Sequence, residues 1–534
     1  MEWERRRSLW TMELSRHHVR ENAAVNSFVE KYSDRITGVI SCFDRMLFKG
    51  YLPIGWSDAM EGLLSRQGLL IKDFGKFVEQ QSERLKNHAE KLAETLGRPF
   101  EYINGKLRKD DYAKEIAKRD GITQGLICVL RILEPCQSFN VVPAEKRPKL
   151  VNATRKCLCY YFYFLDRDFG LMHVRIQSWF PLVIQICLNG HEWLARKLDK
   201  HGIEYRKQDN AFLWISDCAR AQKFADRMET TNWPRVFSAI ARRVNPLLKD
   251  VLAGMEYYWV MDQAEYATDV MFRDAEALKA PYEELLKHAT LCFSAEDVLT
   301  FLGRKMHACF KGEVLTDMKK KRFPGARVKH RMKENWMKMY DKFGCVLRIE
   351  TVINNPREFK VRRSGKRKGE IVTDWFPMGK GVGNMPRYRE VCMAANRRYL
   401  EALAVVPDPG KLKEQIQSIG RRTRTETRSH RALNPASKDD VDLLAAVMRG
   451  EHSLHGFRNA NIREQLHEPP TDDLEHRRQS HRTGRLLKLL HAHSLIAKVP
   501  RTRRWRVTKH GHAVMAAILT IHHQHYPAAN RPVT

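Results

Sequence analysis

Arginine is the main charged residue near the C-terminal end of the sequence, and no Asp or Glu occurs between His476 and the last residue. A guanidinium group near the start of a helix can donate to guanine O6 and N7 in the major groove, and one on a loop can bind phosphate oxygens. The first contact suits arginines on or just before a predicted helix, which are Arg477, Arg478, Arg482 and Arg485. The second suits arginines of a predicted turn, which are Arg501, Arg503 and Arg504. The alternative is a helical hairpin that packs on another domain and leaves a solvated basic face.

Two further basic segments lie in the centre of the chain. Residues 319–333 contain eight Lys and Arg and no acidic residue, and residues 357–368 contain seven. Aromatic residues lie nearby, and basic loops with aromatic residues suit single-stranded or distorted nucleic acid, whose bases can stack. The candidate contacts are Lys319, Lys320, Lys321, Arg322, Lys329, Arg331, Arg362, Arg363 and Lys366. The alternative is a pair of solvated loops.

Between these segments lie Lys338-Met339-Tyr340-Asp341-Lys342 and Arg348-Ile349-Glu350. This pattern is similar to the Tyr-Asp-Lys and Arg-x-Glu strand pair of replication-initiation proteins of phages and rolling-circle plasmids. In those families a tyrosine attacks a DNA phosphate and carboxylates hold a divalent metal.

The resemblance implies that Tyr340 is a nucleophile, that Glu350 binds Mg²⁺ or Mn²⁺, and that Lys342 and Arg348 contact phosphate. It covers a short stretch, and no His-hydrophobe-His motif accompanies it. Alternation along a strand places Arg348 and Glu350 on one face. The alternative is that Tyr340 packs within the sheet while Arg348 and Glu350 form a salt bridge.

Three more carboxylates are candidate metal ligands. Asp44 occurs in Cys42-Phe43-Asp44-Arg45, and Glu265 and Asp269 are four residues apart in a region predicted to be helical, where they would share a helix face. The glycine-rich segment 379–383 lacks the Lys-Ser/Thr pair of a phosphate-binding loop, so ATP dependence is not supported. No cofactor is predicted other than Mg²⁺ or Mn²⁺ for a nuclease.

The charge balance indicates a polyanionic partner. The 534 residues include 94 Lys and Arg against 63 Asp and Glu, a formal net charge of +31. Such a surplus attracts nucleic acid, with DNA as the expected partner and RNA as an alternative. No apolar segment is long enough to span a membrane, so the expected location is the cytoplasm, with nucleoid association as an alternative. The oligomeric state is left open.

The 11 cysteines include no Cys-x-x-Cys pair. The one close pair, Cys157 and Cys159, would share one face of a strand. The pattern favours reduced thiols over a disulfide framework or a zinc site.

Hydrophobic periodicity and turn residues predict an α+β fold with a mixed or antiparallel sheet body. Strands at 157–165, 171–179 and 181–188, a helix at 190–201 and strands at 203–206 and 211–215 predict ferredoxin-like strand-helix-strand elements. Residues 217–310 are predicted to be largely helical, followed by strands at 336–340 and 345–353 and a helix at 388–404. The expected regions are 1–150, an N-terminal α+β region; 151–310, an α/β sandwich and helical region; 311–406, a basic strand-rich region; 407–436, a linker; and 437–525, a winged-helix domain.

The last region is predicted as three helices, a strand, a turn, a second strand and a final helix, which is the winged-helix order. It resembles the winged helices of bacterial MarR-type regulators, especially in Gly484-Arg485-Leu486-Leu487-Lys488-Leu489-Leu490, Leu495-Ile496-Ala497-Lys498-Val499 and Trp505-Arg506-Val507-Thr508.

The whole chain resembles a bacterial α+β family of unknown function that carries a terminal winged helix. That resemblance rests on Cys42-Phe43-Asp44-Arg45, Tyr160-Tyr161-Phe162-Tyr163-Phe164, Asn189-Gly190-His191 and Tyr340-Asp341-Lys342-Phe343-Gly344.

We therefore expect a protein that binds duplex DNA selectively through the winged helix, as a regulator or mobile-element accessory factor. Two alternatives stay open at this point: a metal-dependent DNA nicking, replication-initiation or transposition enzyme, and an RNA-binding protein.

Overall fold

The computed structural model describes residues 27–104, 107–145, 147–305, 312–322, 324–367, 369–406, 419–425, 428–452, 456–500 and 502–525. Arg501, predicted as a phosphate contact, lies outside these residues, as does the first part of the predicted linker.

Within the described residues, eleven strands form one sheet. They are β1 (Ile36–Tyr51), β2 (Phe100–Tyr102), β3 (Gly125–Val142), β4 (Lys149–Asp166), β5 (Gly170–Gln177), β6 (Ile184–Asn189), β9 (Tyr258–Phe272), β10 (Val314–Lys319), β11 (Arg327–Met332), β12 (Asn335–Lys342) and β13 (Val346–Ile353). Separate hairpins are formed by β7 (Tyr205–Gln208) with β8 (Ala211–Ile215), β14 (Lys360–Arg367) with β15 (Glu370–Pro377), β16 (Thr423–Arg424) with β17 (Ser429–His430), and β18 (Ile496–Lys498) with β19 (Trp505–Val507).

The α-helices of the described chain precede and follow these strands. They are α1 (Ser27–Lys31), α2 (Ser57–Arg66), α3 (Phe74–Thr95), α4 (Lys109–Arg119), α5 (Gly190–Lys200), α6 (Cys218–Arg227), α7 (Trp233–Val244), α8 (Ala275–Leu291), α9 (Ala295–Phe301), α10 (Met385–Leu403), α11 (Lys438–Val447), α12 (Asn459–Leu466), α13 (Asp473–Ala492) and α14 (Lys509–His525).

The strand order in the sheet is β10-β11-β12-β13-β9-β1-β6-β5-β4-β3-β2. Neighbours are antiparallel except β2 and β3, which are parallel. This confirms the expected α+β class and a sheet that is antiparallel for most of its width. A single sheet thus draws strands from the three predicted regions 1–150, 151–310 and 311–406.

The ferredoxin-like prediction is wrong in its topology. Helix α5 follows β6 as predicted, and the Asn189 side chain caps it by accepting hydrogen bonds from the backbone amides of His191 and Glu192. The next strand, β7, does not return to the large sheet but pairs with β8 in a separate hairpin. The unit therefore covers the sheet instead of extending it.

A second prediction is wrong between residues 217 and 310, a stretch expected to be largely helical. Strand β9 occupies Tyr258–Phe272 and pairs with both β1 and β13. Glu265 and Asp269 therefore share one face of a strand, not of a helix. The spacing could not distinguish the two, because residues four apart lie on the same side of an α-helix and also of a β-strand.

One face of the sheet is covered by helices. Trp233 on α7 stacks on Phe48 of β1, with ring centroids 5.7 Å apart, and Phe237 lies 5.1 Å from Trp259 on β9. These rings belong to the main core. A separate core lies within the C-terminal region and includes Leu444, Leu490 and Ile518. Ile419 and Leu433 pack into it, so part of the predicted linker belongs to that core.

Candidate active site

The strand registers bring the predicted catalytic and metal-binding residues to the other face of the sheet. Opposed residues of an antiparallel pair point to the same face. Lys338 of β12 lies opposite Glu350 of β13, and Val352 lies opposite Glu265 of β9. Because alternate residues of a strand share a face, Glu350 and Glu265 lie on the same side.

A β-bulge adds Asp44 to this face. The register between β1 and β9 shifts between Phe43 and Met46, so one extra residue of β1 lies opposite β9. A bulge bends the strand and redirects side chains, and bulges are frequent beside active sites. Here it places buried Asp44 and exposed Arg45 in the middle of a strand next to Glu265.

Asp44, Glu265 and Glu350 each offer one carboxylate oxygen, and these three oxygens lie within 4.8 Å of one another. Asp44 and Glu350 are each 2 % exposed. Carboxylate oxygens are the ligands that Mg²⁺ and Mn²⁺ prefer. The three residues, here called the carboxylate cluster, could hold such an ion, and the residues present fit that group.

The carboxyl groups of the cluster differ in protonation. Burial and the neighbouring Glu350 raise the pKa of Glu265 to about 7. Burial alone would raise the pKa of Asp44 as well, but the charges of Arg348 and His191 hold it well below its usual range. Near neutral pH, Asp44 is therefore ionised while Glu265 exchanges a proton, which a divalent cation would displace.

Arg348 is completely buried, which contradicts its predicted role as a phosphate contact. Its Nε and Nη2 donate to the two oxygens of Asp269 at 2.6 and 2.7 Å, and its Nη1 donates to Asp44 Oδ2 at 2.7 Å. His191 Nε2 lies 3.2 Å from Asp269 Oδ2. Asp269 is thus engaged in an ion-pair network beneath the cluster and is not among its three members.

Tyr340 and Lys338 both bind Glu350. The Tyr340 hydroxyl donates to Glu350 Oε2 at 2.6 Å, and the Lys338 ammonium pairs with Oε1. Tyr340 is 8 % exposed, and burial together with Glu350 raises its pKa well above its usual value. A phenolate is the attacking form of tyrosine, and the raised pKa disfavours it, so Tyr340 is poorly suited to act as a nucleophile. Its hydroxyl instead positions Glu350. Lys342 is half-buried, and its ammonium contacts the Asn210 side chain.

A row of cations leads from the sheet edge to the cluster. Lys319, Arg327 and Tyr340 lie opposite one another across β10, β11 and β12, and Lys329 lies opposite Lys338. Burial and the positive charges of its neighbours lower the pKa of Lys329. The row, here called the basic strip, consists of Lys319, Arg327, Lys329, Arg331 and Lys338. One acidic residue, Asp317, lies within it, opposite Lys329 and 3.5 Å from Arg327.

The other predicted basic contacts lie at the surface. Lys320 and Lys321 are exposed, whereas half-buried Arg322 lies over the Tyr340 ring at 4.6 Å. The exposed residues of hairpin β14–β15 include Arg362, Arg363 and Lys366.

In the C-terminal region, exposed arginines line one side of α13. They are Arg477, Arg478, Arg482 and Arg485. Arg503 is exposed, and half-buried Arg504 donates to the Gly456 carbonyl at 3.1 Å.

Sequence reasoning missed several residues beside the cluster. Arg45, Lys338 and His191 are brought there by non-local strand pairing and by α5, so local spacing carries no signal for them. Asp110 of α4 accepts from Tyr163 at 2.7 Å, and Lys114 of the same helix pairs with Asp209 at 2.8 Å. Helix α4 and the β7–β8 hairpin therefore meet above the sheet face that carries the carboxylate cluster.

Comparison with protein-family models, curated proteins and solved structures found no match to the chain. No helix in the described ranges has both the length and the apolar character required to cross a membrane.

Proposed function

We propose that the protein binds duplex DNA through residues 437–525, which we interpret as a winged helix. The observation that carries the proposal is the exposed arginine side of α13. None of Arg477, Arg478, Arg482 and Arg485 forms a salt bridge within the described residues. Guanidinium groups without acidic partners on one side of a helix suit bases and phosphates of a major groove.

The element order supports this interpretation. Three helices are followed by hairpin β18–β19 and a closing helix, α14. Such a module places its third helix in the groove and its hairpin on the backbone. Buried leucines, including Leu487 and Leu490, hold α13 against the module's core and leave the arginine side towards solvent.

The double change Arg482→Ala/Arg485→Ala is expected to weaken duplex DNA binding by at least about tenfold, because each arginine contact to a base contributes about 1–3 kcal/mol. Fluorescence anisotropy with a labelled duplex at fixed salt would measure the change. The matched control is Arg235→Ala/Arg242→Ala, which removes two exposed helical arginines of the body. Equal losses in the two variants would mean that only overall charge matters and would refute the winged-helix interpretation.

A second function, metal-dependent cleavage of a nucleic-acid strand, is favoured by the carboxylate cluster together with the basic strip. A divalent ion held by Asp44, Glu265 and Glu350 would polarise a phosphate and activate water. The basic strip would guide the phosphate backbone from the sheet edge to the ion. Because Tyr340 is buried against Glu350, water is the proposed nucleophile.

With supercoiled plasmid and Mn²⁺, we expect nicking that Glu350→Gln abolishes and Tyr340→Phe largely retains, because the phenol contributes one hydrogen bond to Glu350. Exposed Glu334 supplies the control, Glu334→Gln. Loss of activity in Tyr340→Phe with trapping of a covalent tyrosyl-DNA product would instead support the replication-initiation chemistry. Absence of nicking with any divalent ion would remove the enzyme proposal.

A separate experiment tests RNA as the partner. If single-stranded RNA binds equally well after deletion of residues 437–534, RNA would be favoured as the partner of the rest of the chain.

A further inference from the structure

Three cysteines meet on the sheet face that also carries the carboxylate cluster, but on β3 and β4, which β5 and β6 separate from β1. Cys136 lies on β3, and Cys157 and Cys159 lie on the adjacent β4. Their sulfur atoms lie within 4.8 Å of one another, and Cys136 Sγ is 3.3 Å from Cys159 Sγ. All three residues are buried, with exposures of 4 %, 4 % and 0 % in sequence order. The expectation that Cys157 and Cys159 share a face is confirmed, and the third thiol comes from the neighbouring strand.

We propose that Cys136, Cys157 and Cys159 bind a thiophilic divalent metal ion, Zn²⁺, as three thiolates. Zinc binds thiolate sulfur at about 2.3 Å, which places two sulfurs of a tetrahedral site about 3.8 Å apart. Three sulfurs within 4.8 Å are therefore close to that geometry before any ion is bound. A fourth coordination position stays open for water or a small ligand.

Arg175 supplies the charge that such a site needs. Its Nη2 lies 3.0 Å from Cys159 Sγ and 3.3 Å from Cys136 Sγ, while its Nε donates to Glu134 Oε2 at 2.8 Å. Three thiolates, one divalent ion and one guanidinium sum to zero net charge, which a buried position favours. Glu134 is neutralised separately by Lys109, at 3.1 Å. The guanidinium can keep donating to the sulfurs from outside the coordination sphere, which orients ligands and tunes the metal.

Metal binding by the three cysteines requires that their thiols lose protons, because thiolate is the form of cysteine that binds metal. The Arg175 guanidinium lies within 3.3 Å of two of the sulfur atoms, where its positive charge favours the thiolate form. Metal binding would therefore release thiol protons.

Cobalt(II) is the probe for this site, because thiolate-to-cobalt charge transfer reports sulfur ligation directly. The reduced full-length protein is expected to bind one equivalent of Co²⁺ with that absorption band, and Zn²⁺ is expected to displace it. Cys157→Ser should lose the band and bind Co²⁺ more than about tenfold more weakly. Cys128→Ser is the matched control, since Cys128 is also buried on β3 but lies outside the cluster.

A second measurement guards against misfolding. Zn²⁺ should raise the Tm of the wild type and of Cys128→Ser, but not that of Cys157→Ser, because an ion stabilises only the state that binds it. Absence of the band in reduced wild type, or its persistence in Cys157→Ser, would overturn the proposal. A Cys136–Cys159 disulfide found in air-exposed protein whose reduced form binds no Co²⁺ would also overturn it and assign the cluster to redox chemistry.

Discussion

The change Arg348→Met is expected to lower the free energy of unfolding by about 3–5 kcal/mol, because it leaves buried carboxylates without their counter-charge. Arg348 and Asp269 are completely buried and Asp44 is 2 % exposed. Arg348 donates to both aspartates, at 2.6–2.7 Å. Water cannot take over these hydrogen bonds at such depth, so the loss should approach the full penalty of unpaired buried charge. Urea unfolding followed by circular dichroism would measure it.

Arg167→Met is the control for this change. Arg167 is 81 % exposed and lies 3.7 Å from Asp168, so its removal should cost at most about 1 kcal/mol. Adding Asp269→Asn to Arg348→Met should recover part of the loss, because it removes one of the stranded charges. If Arg348→Met lowered the free energy of unfolding no more than Arg167→Met, the buried ion pairs of Arg348 would not stabilise the fold as proposed.

Binding of Mn²⁺ to the carboxylate cluster is expected to weaken by up to about tenfold for each pH unit below 7 and to level off above it. The pKa of Glu265 is raised to about 7, so below that pH the ion must displace a proton. Isothermal titration calorimetry between pH 5.5 and 8, in buffers of different ionisation enthalpy, would give both the affinity and the proton released. In Glu265→Gln, Mn²⁺ should bind more weakly and without this pH dependence.

The same shift predicts how stability depends on pH without the ion. The pKa of Glu265 lies above its ordinary value of 4.5, so the folded chain binds more protons than the unfolded chain between these values. The contribution of Glu265 to stability therefore falls as the pH rises from about 4.5 through 7. Mn²⁺ should remove this loss in the wild type. A wild-type Mn²⁺ affinity that is flat across pH 5.5–8 would contradict the protonated state assigned to Glu265.

Much of the local structure could be predicted from the sequence. Strong β patterns at 336–340 and 345–353 correspond to β12 and β13, and the helix predicted at 388–404 corresponds to α10. Strand β9 could not be recognised, because it lies between β1 and β13 and most of its side chains are buried on both faces. Such a strand lacks the alternation that distinguishes strand from helix.

The candidate site was less accessible to sequence reasoning. Asp44, Glu265 and Glu350 were each singled out, but their meeting depends on the order of β1, β9 and β13 and on a bulge at Asp44. The third cysteine of the metal-binding proposal likewise depends on the pairing of β3 with β4. Spacing within one element cannot reveal either arrangement, since each ligand comes from a different strand.

The central position of β1 has a consequence for synthesis on the ribosome. Strand β1 is the first strand of the described chain to be made, yet its partners are β6 and β9, which end at residues 189 and 272. At about 5–20 residues per second, the interval between the emergence of β1 and of β9 is roughly 10–40 s. During that interval at least one edge of β1 lacks its partner strand. Arg348, the buried partner of Asp44, lies on β13 and is synthesised later than β9. The ion pair between Asp44 and Arg348 is therefore among the last contacts of the sheet that can form.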